Sequence, residues 1–297
     1  MGHGHDHGGS KSYGRAFAIG IALNLTFVLV EFFYGRRSHS LALVADAGHN
    51  LSDVLALALA WGAGILGRTR PTRERTYGMR RSSILASLIN AVVLLLVLGA
   101  IGWEAVQRFS EPSEVAGVTV MWVAALGIVI NGVTALLFVS GRKGDLNVRG
   151  AFLHMAADAA VTLGVVISGA AILYTGWQWL DPAVSLIISV IIFIGTWALL
   201  KDSVNLALDG VPEGIALSSV EAYLSALPNV VGVHDLHVWG MSTTEAALTT
   251  HLVMNRPICD NEFLQQIEEG LHKNFGIEHA TVQMETGDRN SPCQCRL

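Results

Sequence analysis

Six long apolar stretches, separated by short polar segments, occupy the first two thirds of the chain. Each is about 20 residues long or longer, which is the length that a helix needs to cross a bilayer. Such stretches form helices in lipid because every backbone polar group is then hydrogen-bonded within the segment. The pattern therefore predicts an all-α membrane domain of six transmembrane helices, at residues 16–35, 41–66, 83–107, 115–140, 151–175 and 180–200.

The pattern changes at about residue 203, where the apolar runs give way to shorter periodic segments. Alternation at Leu248, Thr250, Leu252 and Met254 is typical of a strand, and residues 261–275 place their apolar side chains on one helical face. The order of elements is α-β-β-α-β. We therefore expect a small cytoplasmic α+β domain of the ferredoxin or metallochaperone type.

Composition supports a membrane protein with three parts. Hydrophobic residues make up 52% of the 297-residue chain and charged residues 14%, whereas a soluble globule carries about a quarter charged residues. The net charge of −5 suggests no nucleic-acid partner. We expect a His-rich N-terminal tail at 1–15, which is either a solvated tail or a weak metal-capturing one, a transmembrane domain at 16–202 and a cytoplasmic domain at 203–297.

Basic residues predict the orientation of the spans in the lipid bilayer. The segment "RTRPTRERTYGMRR" between spans 2 and 3 holds six arginines, and the loop between spans 4 and 5 holds three more basic residues. The opposite side carries Arg36, Arg37 and Arg108. Because cytoplasmic loops are enriched in Lys and Arg, both termini are predicted to be cytoplasmic. No signal peptide is visible, and a bacterial inner membrane is the expected location.

Two spans carry the same polar motif. His49 and Asp53 lie four residues apart in span 2, and His154 and Asp158 lie four residues apart in span 5. Residues at this spacing share one helix face, about 6 Å apart. A charged Asp in a transmembrane helix costs about 2.5–3.5 kcal/mol, so the two pairs need a compensating partner. Facing each other, they form a tetrahedral His₂Asp₂ cage, a donor set that suits Zn²⁺ better than Cu⁺, Mg²⁺ or Ca²⁺.

Other interpretations of these residues remain open. The pairs are also consistent with hydrogen bonds between helices or with a proton relay. Asp46, one turn before His49, is expected to support the site rather than bind metal, and Glu31 is expected to be an exposed or cavity charge. The alternative functions are a membrane-embedded zinc metalloenzyme and a metal-gated channel or sensor. A catalytic zinc keeps an open coordination position, which four protein ligands do not leave.

The cytoplasmic domain offers further candidate ligands. If its hairpin turns at Ser242 and Thr243, His234 and His251 are opposite each other, with Cβ atoms about 5 Å apart. The last strand places His279 and Glu285 on one face. We expect His234, His251 and Glu285 to hold one zinc ion. "CQC" contributes Cys293 and Cys295, which are either a compact thiolate pair or part of a reduced tail without metal.

These features together resemble the cation diffusion facilitator family, in its zinc-transporter branch. The resemblance rests on six spans, H-x₃-D in spans 2 and 5, "YGMRR", "LALDGVP", "HDLHVW" and the cytoplasmic α-β-β-α-β domain. It implies a homodimer that exports Zn²⁺ in exchange for protons and is not an enzyme. His49, where less zinc-selective branches have Asp, implies a preference for zinc.

The resemblance also implies roles for residues outside the spans. In the family's zinc-transporter branch, C-terminal cysteines complete a site, so His279, Cys293 and Cys295 are expected to hold a second cytoplasmic zinc. The loop between spans 2 and 3 lacks the ligands that other members use there, so we predict no metal in it. Arg81 and Asp209 match positions that form a charge pair in the family, although Arg80 is an alternative to Arg81.

Overall fold

The computed structural model of the protein describes residues 10–66, 69–111, 113–138, 146–256 and 261–286. Over these ranges each of the six apolar stretches lies largely in a helix, as predicted. The helices are α1 (Ser10–Arg37), α2 (Leu41–Leu66), α3 (Ser82–Ser110), α4 (Gly117–Phe138), α5 (Leu146–Thr175) and α6 (Leu180–Ala207). Several of these helices extend beyond the apolar stretch into the polar residues that flank it.

Three of these helices are long and apolar enough to cross a membrane on the side chains that the structure describes. They are Ser82–Ser110, the Asp158–Thr175 part of α5 and Leu180–Ala207, and Gly117–Val133 is a shorter apolar helix. The protein therefore has a helical domain of the transmembrane type.

The chain divides into two compact units. The first comprises residues 1–59 and 90–197, and the second comprises residues 60–89 and 198–297. In the first unit, five helices contribute buried apolar side chains to a common core, among them Leu43, Ile101, Ala124, Val165 and Ile188.

Glycines allow close helix contacts in the first unit. A Cβ atom on Gly117 of α4 would lie 2.7 Å from the carbonyl oxygen of Gly169 on α5. A Cβ atom on Gly127 would lie 2.6 Å from the ring of Phe27 on α1. Small residues at these contacts let helices approach closely, which is how helices associate in lipid. Helix α5, which carries one of the two polar motifs, and helix α1 are thus held against α4.

The second unit contains a three-stranded sheet with two helices. The elements are α7 (Leu217–Ser225), β1 (Val230–Gly240), β2 (Ala246–Met254), α8 (Asn261–Phe275) and β3 (Ile277–Thr286). This order confirms the α-β-β-α-β prediction. The sheet order is β1-β2-β3, with β1 antiparallel and β3 parallel to β2. The parallel pairing requires a crossover, which α8 supplies.

The core of the second unit follows the predicted periodicity. Phe263, Ile267 and Leu271 are buried at helical spacing on α8, and the alternating Leu248 and Leu252 of β2 are buried beneath them. Gly276, with φ of 66°, ends α8, and its N–H donates to the carbonyl oxygen of His272. This left-handed residue allows β3 to begin immediately after the helix.

Candidate metal centres

His49 on α2 and Asp158 on α5 are in hydrogen-bond contact. Nε2 of His49 lies 3.0 Å from Oδ1 of Asp158, and the two side chains are 17% and 3% exposed. The hydroxyl of Thr162, one turn along α5, donates to the carbonyl oxygen of Asp158 at 2.9 Å. The structure therefore brings one residue from each H-x₃-D motif together inside the helical unit.

The other two residues of the motifs have a described backbone only. Asp53 lies in α2, one turn after His49, and His154 lies in α5, one turn before Asp158. Their side chains lie outside the described part of the protein. A neutral imidazole and a carboxylate, as in His49 and Asp158, are donors that suit Zn²⁺.

The charge on α1 is buried, which excludes one of the two alternatives expected from the sequence. Glu31 was expected to be an exposed or cavity charge, yet its side chain is fully buried. Its Oε2 accepts a 3.0 Å hydrogen bond from Nδ2 of Asn50 on α2. The exposed alternative was therefore wrong, although Glu31 lies only six residues before the end of α1 at Arg37. Asp46, one turn before His49, is also fully buried.

Asp181 fixes the start of the helix that carries His49. It is 1% exposed, and its carboxylate accepts hydrogen bonds from the Ser40 hydroxyl at 2.5 Å and from the backbone N–H groups of Leu41 and Ala42 at 2.7 and 3.3 Å. The first N–H groups of a helix lack partners within the helix. A carboxylate from α6 therefore caps α2, a role that sequence reasoning missed.

His234, His251 and Glu285 form a compact cluster in the second unit. Glu285 Oε2 lies 3.2 Å from His234 Nε2, and Oε1 lies 2.7 Å from His251 Nδ1. One ligand atom from each of the three residues lies within 4.8 Å of the others. The hydrogen bond with His251 lowers the pKa of Glu285 below its ordinary value, and the bond with His234 acts in the same direction. These three donors are the ones predicted for the cytoplasmic site, and they are close enough to bind one ion.

The register of the hairpin shows how the two histidines become opposite. His234 pairs with His251 as predicted, but the turn at Ser242 and Thr243 was predicted wrongly. Gly240 pairs with Ala246, so the connection is longer by one position, and an irregularity between His234 and His237 shifts the register back. The longer connection and the irregularity each shift the register by one position in opposite directions, so His234 is still opposite His251.

The same irregularity brings in an aspartate that the alternation pattern did not predict. Asp235 has a φ of 51°, and its Oδ2 lies 3.6 Å from Nε2 of His251. Its Oδ1 lies 3.0 Å from Nε2 of His237. A bulge reorients side chains in this way because one residue no longer alternates between the faces. The only feature of the sequence that indicated this contact was the position of Asp235 next to His234.

Of the residues expected to form the second cytoplasmic metal site, the structure describes His279. His279 lies on β3 opposite Ala247, four residues along β2 from His251 and thus about 13 Å from it. Its ring contacts that of Tyr77, with centroids 6.3 Å apart. Cys293 and Cys295 lie outside the described residues, as do the N-terminal histidines.

Two ion pairs use the adjacent arginines before α3. Arg81 Nη2 donates to Oδ1 of Asp209, and Arg80 Nη1 donates to Oε2 of Glu245 at 2.7 Å. Both pairs lie within the second unit. The expected pairing of Arg81 with Asp209 is present, and the alternative arginine has a different partner.

A partly buried imidazole and a buried carboxylate within a bundle of apolar helices are typical of a membrane protein that handles metal cations. A family model described as the cation efflux transmembrane domain matches residues 17–206. A second, described as the cation efflux protein cytoplasmic domain, matches residues 212–287. The chain belongs to the cation efflux family, also called the cation diffusion facilitators, which are transporters and not enzymes.

Similar proteins cover nearly the whole chain. The metal cation efflux system protein CzcD of Cupriavidus metallidurans is 36% identical over 294 residues, which are 99% of this chain and 91% of that protein. The zinc transporter ZitB of Escherichia coli is 36% identical over 303 residues, covering 100% of this chain and 96% of that protein. The cadmium, cobalt and zinc/H(+)-K(+) antiporter of Bacillus subtilis is 34% identical over 296 residues, covering 98% and 94%.

A solved structure, the metal-bound C-terminal domain of the CzcD transporter from C. metallidurans, is 33% identical. It covers 24% of this chain and 98% of that chain, with a TM-score of 0.21.

Proposed function

We propose that the protein exports Zn²⁺, and also Cd²⁺ or Co²⁺, from the cytoplasm in exchange for protons. The family membership and the names of the relatives support this function. The observation that carries the proposal is the contact between His49 and Asp158, since it joins the two H-x₃-D motifs through an imidazole and a carboxylate. Together with Asp53 and His154 they form the transport cage, in which the cation is a substrate.

Proton exchange follows from the chemistry of these donors. An imidazole binds metal only when it is neutral, so loading the cage from the cytoplasm releases protons. Histidine titrates near neutral pH, so protonation competes with the metal when the cage faces outward. Alternation between these two states moves cation and protons in opposite directions.

The proposed architecture places this cage in the middle of six transmembrane helices, within residues 16–202. The tail at 1–15 and the domain at 203–297 are cytoplasmic, the latter with a ferredoxin or metallochaperone type of topology. The protein works as a homodimer in a bacterial inner membrane. The asymmetry of arginines between the two sides supports the orientation.

The cytoplasmic domain holds zinc in a structural or regulatory role in this proposal. His234, His251 and Glu285 bind one ion, and their observed proximity supports that site. His279, Cys293 and Cys295 bind a second. Because metal binding neutralises carboxylate and thiolate charge, it favours contact between the two subunits of the dimer.

Cation flux into sealed vesicles tests the function. The purified full chain is reconstituted, a pH gradient is imposed, and Zn²⁺, Cd²⁺, Co²⁺, Mn²⁺ and Fe²⁺ are compared. We expect zinc uptake that depends on the gradient and a reciprocal movement of protons. Uptake that ignores the gradient would indicate a channel instead, and no uptake would refute transport.

A further inference from the structure

Two fully buried carboxylates face each other near, but outside, the proposed cage. The side chains of Glu31 on α1 and Asp46 on α2 are both 0% exposed. They are close enough to interact electrostatically with each other. Asn50 donates to one oxygen of Glu31. Among the described residues, no hydrogen bond reaches the other oxygen of Glu31 or either oxygen of Asp46. Three buried carboxylate oxygens therefore receive no hydrogen bond from the described residues, and the hydroxyl of Thr162 beside Asp46 donates to the carbonyl oxygen of Asp158 instead.

Among the described residues, no lysine or arginine acts on either carboxylate at short range. The ionisable groups that face Asp46 are Glu31, His49 on the same helix and Asp158 on α5, and the hydroxyl of Thr162 lies beside it. The sequence of α4 contains no ionisable residue.

Two adjacent carboxylates in such a place cannot both be ionised without a cation between them. A metal ion requires about four or more ligands. The described part of the chain groups no third acidic, histidine or cysteine ligand with this pair. A proton needs only two oxygens, and the pair supplies them.

We propose that Glu31 and Asp46 hold one proton between them as a second counter-ion site, separate from the His49–Asp158 contact. The site rests on the proposed function, because its proton takes part in the exchange for zinc. Asp46 lies one turn before His49 on α2, so the charge of an incoming Zn²⁺ acts on the pair at short range. The proton leaves as zinc binds, and the pair recovers a proton when zinc departs.

Amide variants test this site because they imitate its protonated form. In Glu31→Gln and in Asp46→Asn, an amide N–H takes the place of the proton and cannot be released. The number of protons released per zinc bound is measured by calorimetry of the full chain in detergent, in two buffers of different ionisation enthalpy. We expect each variant to release about one proton fewer than the wild type. Protons from cytoplasmic sites are common to all samples and cancel in the difference.

Two further variants separate this site from general damage to the helical unit. The exchanged pair, Glu31→Asp with Asp46→Glu, keeps two carboxyl groups and should retain the wild-type proton number. Thr196→Val removes a buried hydroxyl that donates to the carbonyl oxygen of Ile192 in its own helix, and it should also leave the number unchanged. A loss of protons in Thr196→Val equal to that in Glu31→Gln would overturn the assignment.

Two measurements on the wild type identify the cation that the pair holds. They do not depend on the stability of any variant. Infrared difference spectra should show that zinc removes the carbonyl band of a protonated carboxyl group, and an unchanged band would overturn the proposal.

Replacing K⁺ by N-methylglucamine should leave the number of protons released per zinc unchanged. A proton number that depends on K⁺ would assign K⁺ to the pair instead. Equal proton numbers in wild type and amide variants would refute the site while zinc transport stands. A wild type that moves no zinc would refute the proposed function itself.

Discussion

His234 and His251 lie directly opposite each other in the hairpin, with ring centroids 5.0 Å apart. Both imidazoles reach the carboxylate of Glu285 on β3, the strand on the other side of β2 from His234. The three strands thus each present one donor, with Glu285 paired to Val253, two residues along β2 from His251. The carboxylate bridges the two rings, so the three donors lie close enough together to bind one ion.

Zinc should stabilise the protein through this cluster. Binding to the folded state alone adds about 2.7 kcal/mol to the free energy of unfolding at a zinc concentration one hundred times Kd. We expect thermal unfolding of the full chain to shift upward with zinc, and the shift to be smaller in His234→Ala with His251→Ala. His272→Ala is the matched control, because His272 is an exposed histidine on α8. An undiminished zinc response in the double variant would remove the cluster from the list of metal sites.

The ligand at position 49 should influence which cation is transported. His49→Asp replaces a nitrogen donor by an oxygen donor and adds a negative charge to the cage, which changes the match between site and metal. We expect the ratio of Cd²⁺ to Zn²⁺ transport to rise severalfold. Competition between the two ions in reconstituted vesicles measures this ratio. An unchanged ratio would mean that the geometry of the cage, and not the ligand type, determines selectivity.

The ion pair between Arg81 and Asp209 should have a modest effect. Both side chains are 55% exposed, and exposed pairs contribute about 0–1 kcal/mol. We expect Arg81→Ala and Asp209→Ala each to lower zinc transport by no more than about fivefold, which corresponds to about 1 kcal/mol. The exchanged pair, Arg81→Asp with Asp209→Arg, should recover activity. A much larger loss that the exchange does not restore would indicate another role for one of the two residues.

Gly127 should be intolerant of a side chain. A Cβ atom there would lie 2.6 Å from the ring of Phe27, whereas a Cβ atom on Gly132 of the same helix meets nothing within 4 Å. Overpacking of a tight contact costs about 1–3 kcal/mol. We expect Gly127→Ala to lower the thermal midpoint in detergent and Gly132→Ala to leave it nearly unchanged. Equal midpoints for the two variants would contradict the close approach of α1 and α4.

Periodicity predicted the elements well because apolar length and alternation reflect local geometry. The apolar stretches lie in helices, and the faces of α8 and β2 are buried as expected. The pairing of His234 with His251 was predicted through a turn that the structure does not have, since a bulge compensates for the longer connection. Such a bulge depends on long-range strand pairing and has no clear local signature in the sequence.

Buried charge was harder to predict than buried apolar surface. Glu31 interacts with Asn50 of α2, and Asp181 interacts with Ser40, which immediately precedes α2. Hydropathy reports how costly such a residue is but does not identify its partner, because the partner is distant in the chain. The repeated H-x₃-D motif was easier to interpret, since its spacing places both donors on one helix face.

Zinc uptake by the Asp158 variant tests the central claim most directly. Asp158→Asn keeps the shape of the side chain but removes the charge that lies 3.0 Å from His49. Asp202→Asn, on an exposed position of α6, is the control. Radioactive zinc uptake into inside-out vesicles is measured under a fixed pH gradient, with folding verified by size-exclusion chromatography. The proposed cage predicts wild-type uptake for Asp202→Asn and at least a tenfold loss, about 1.4 kcal/mol, for Asp158→Asn. Wild-type uptake by a folded Asp158→Asn protein would contradict it.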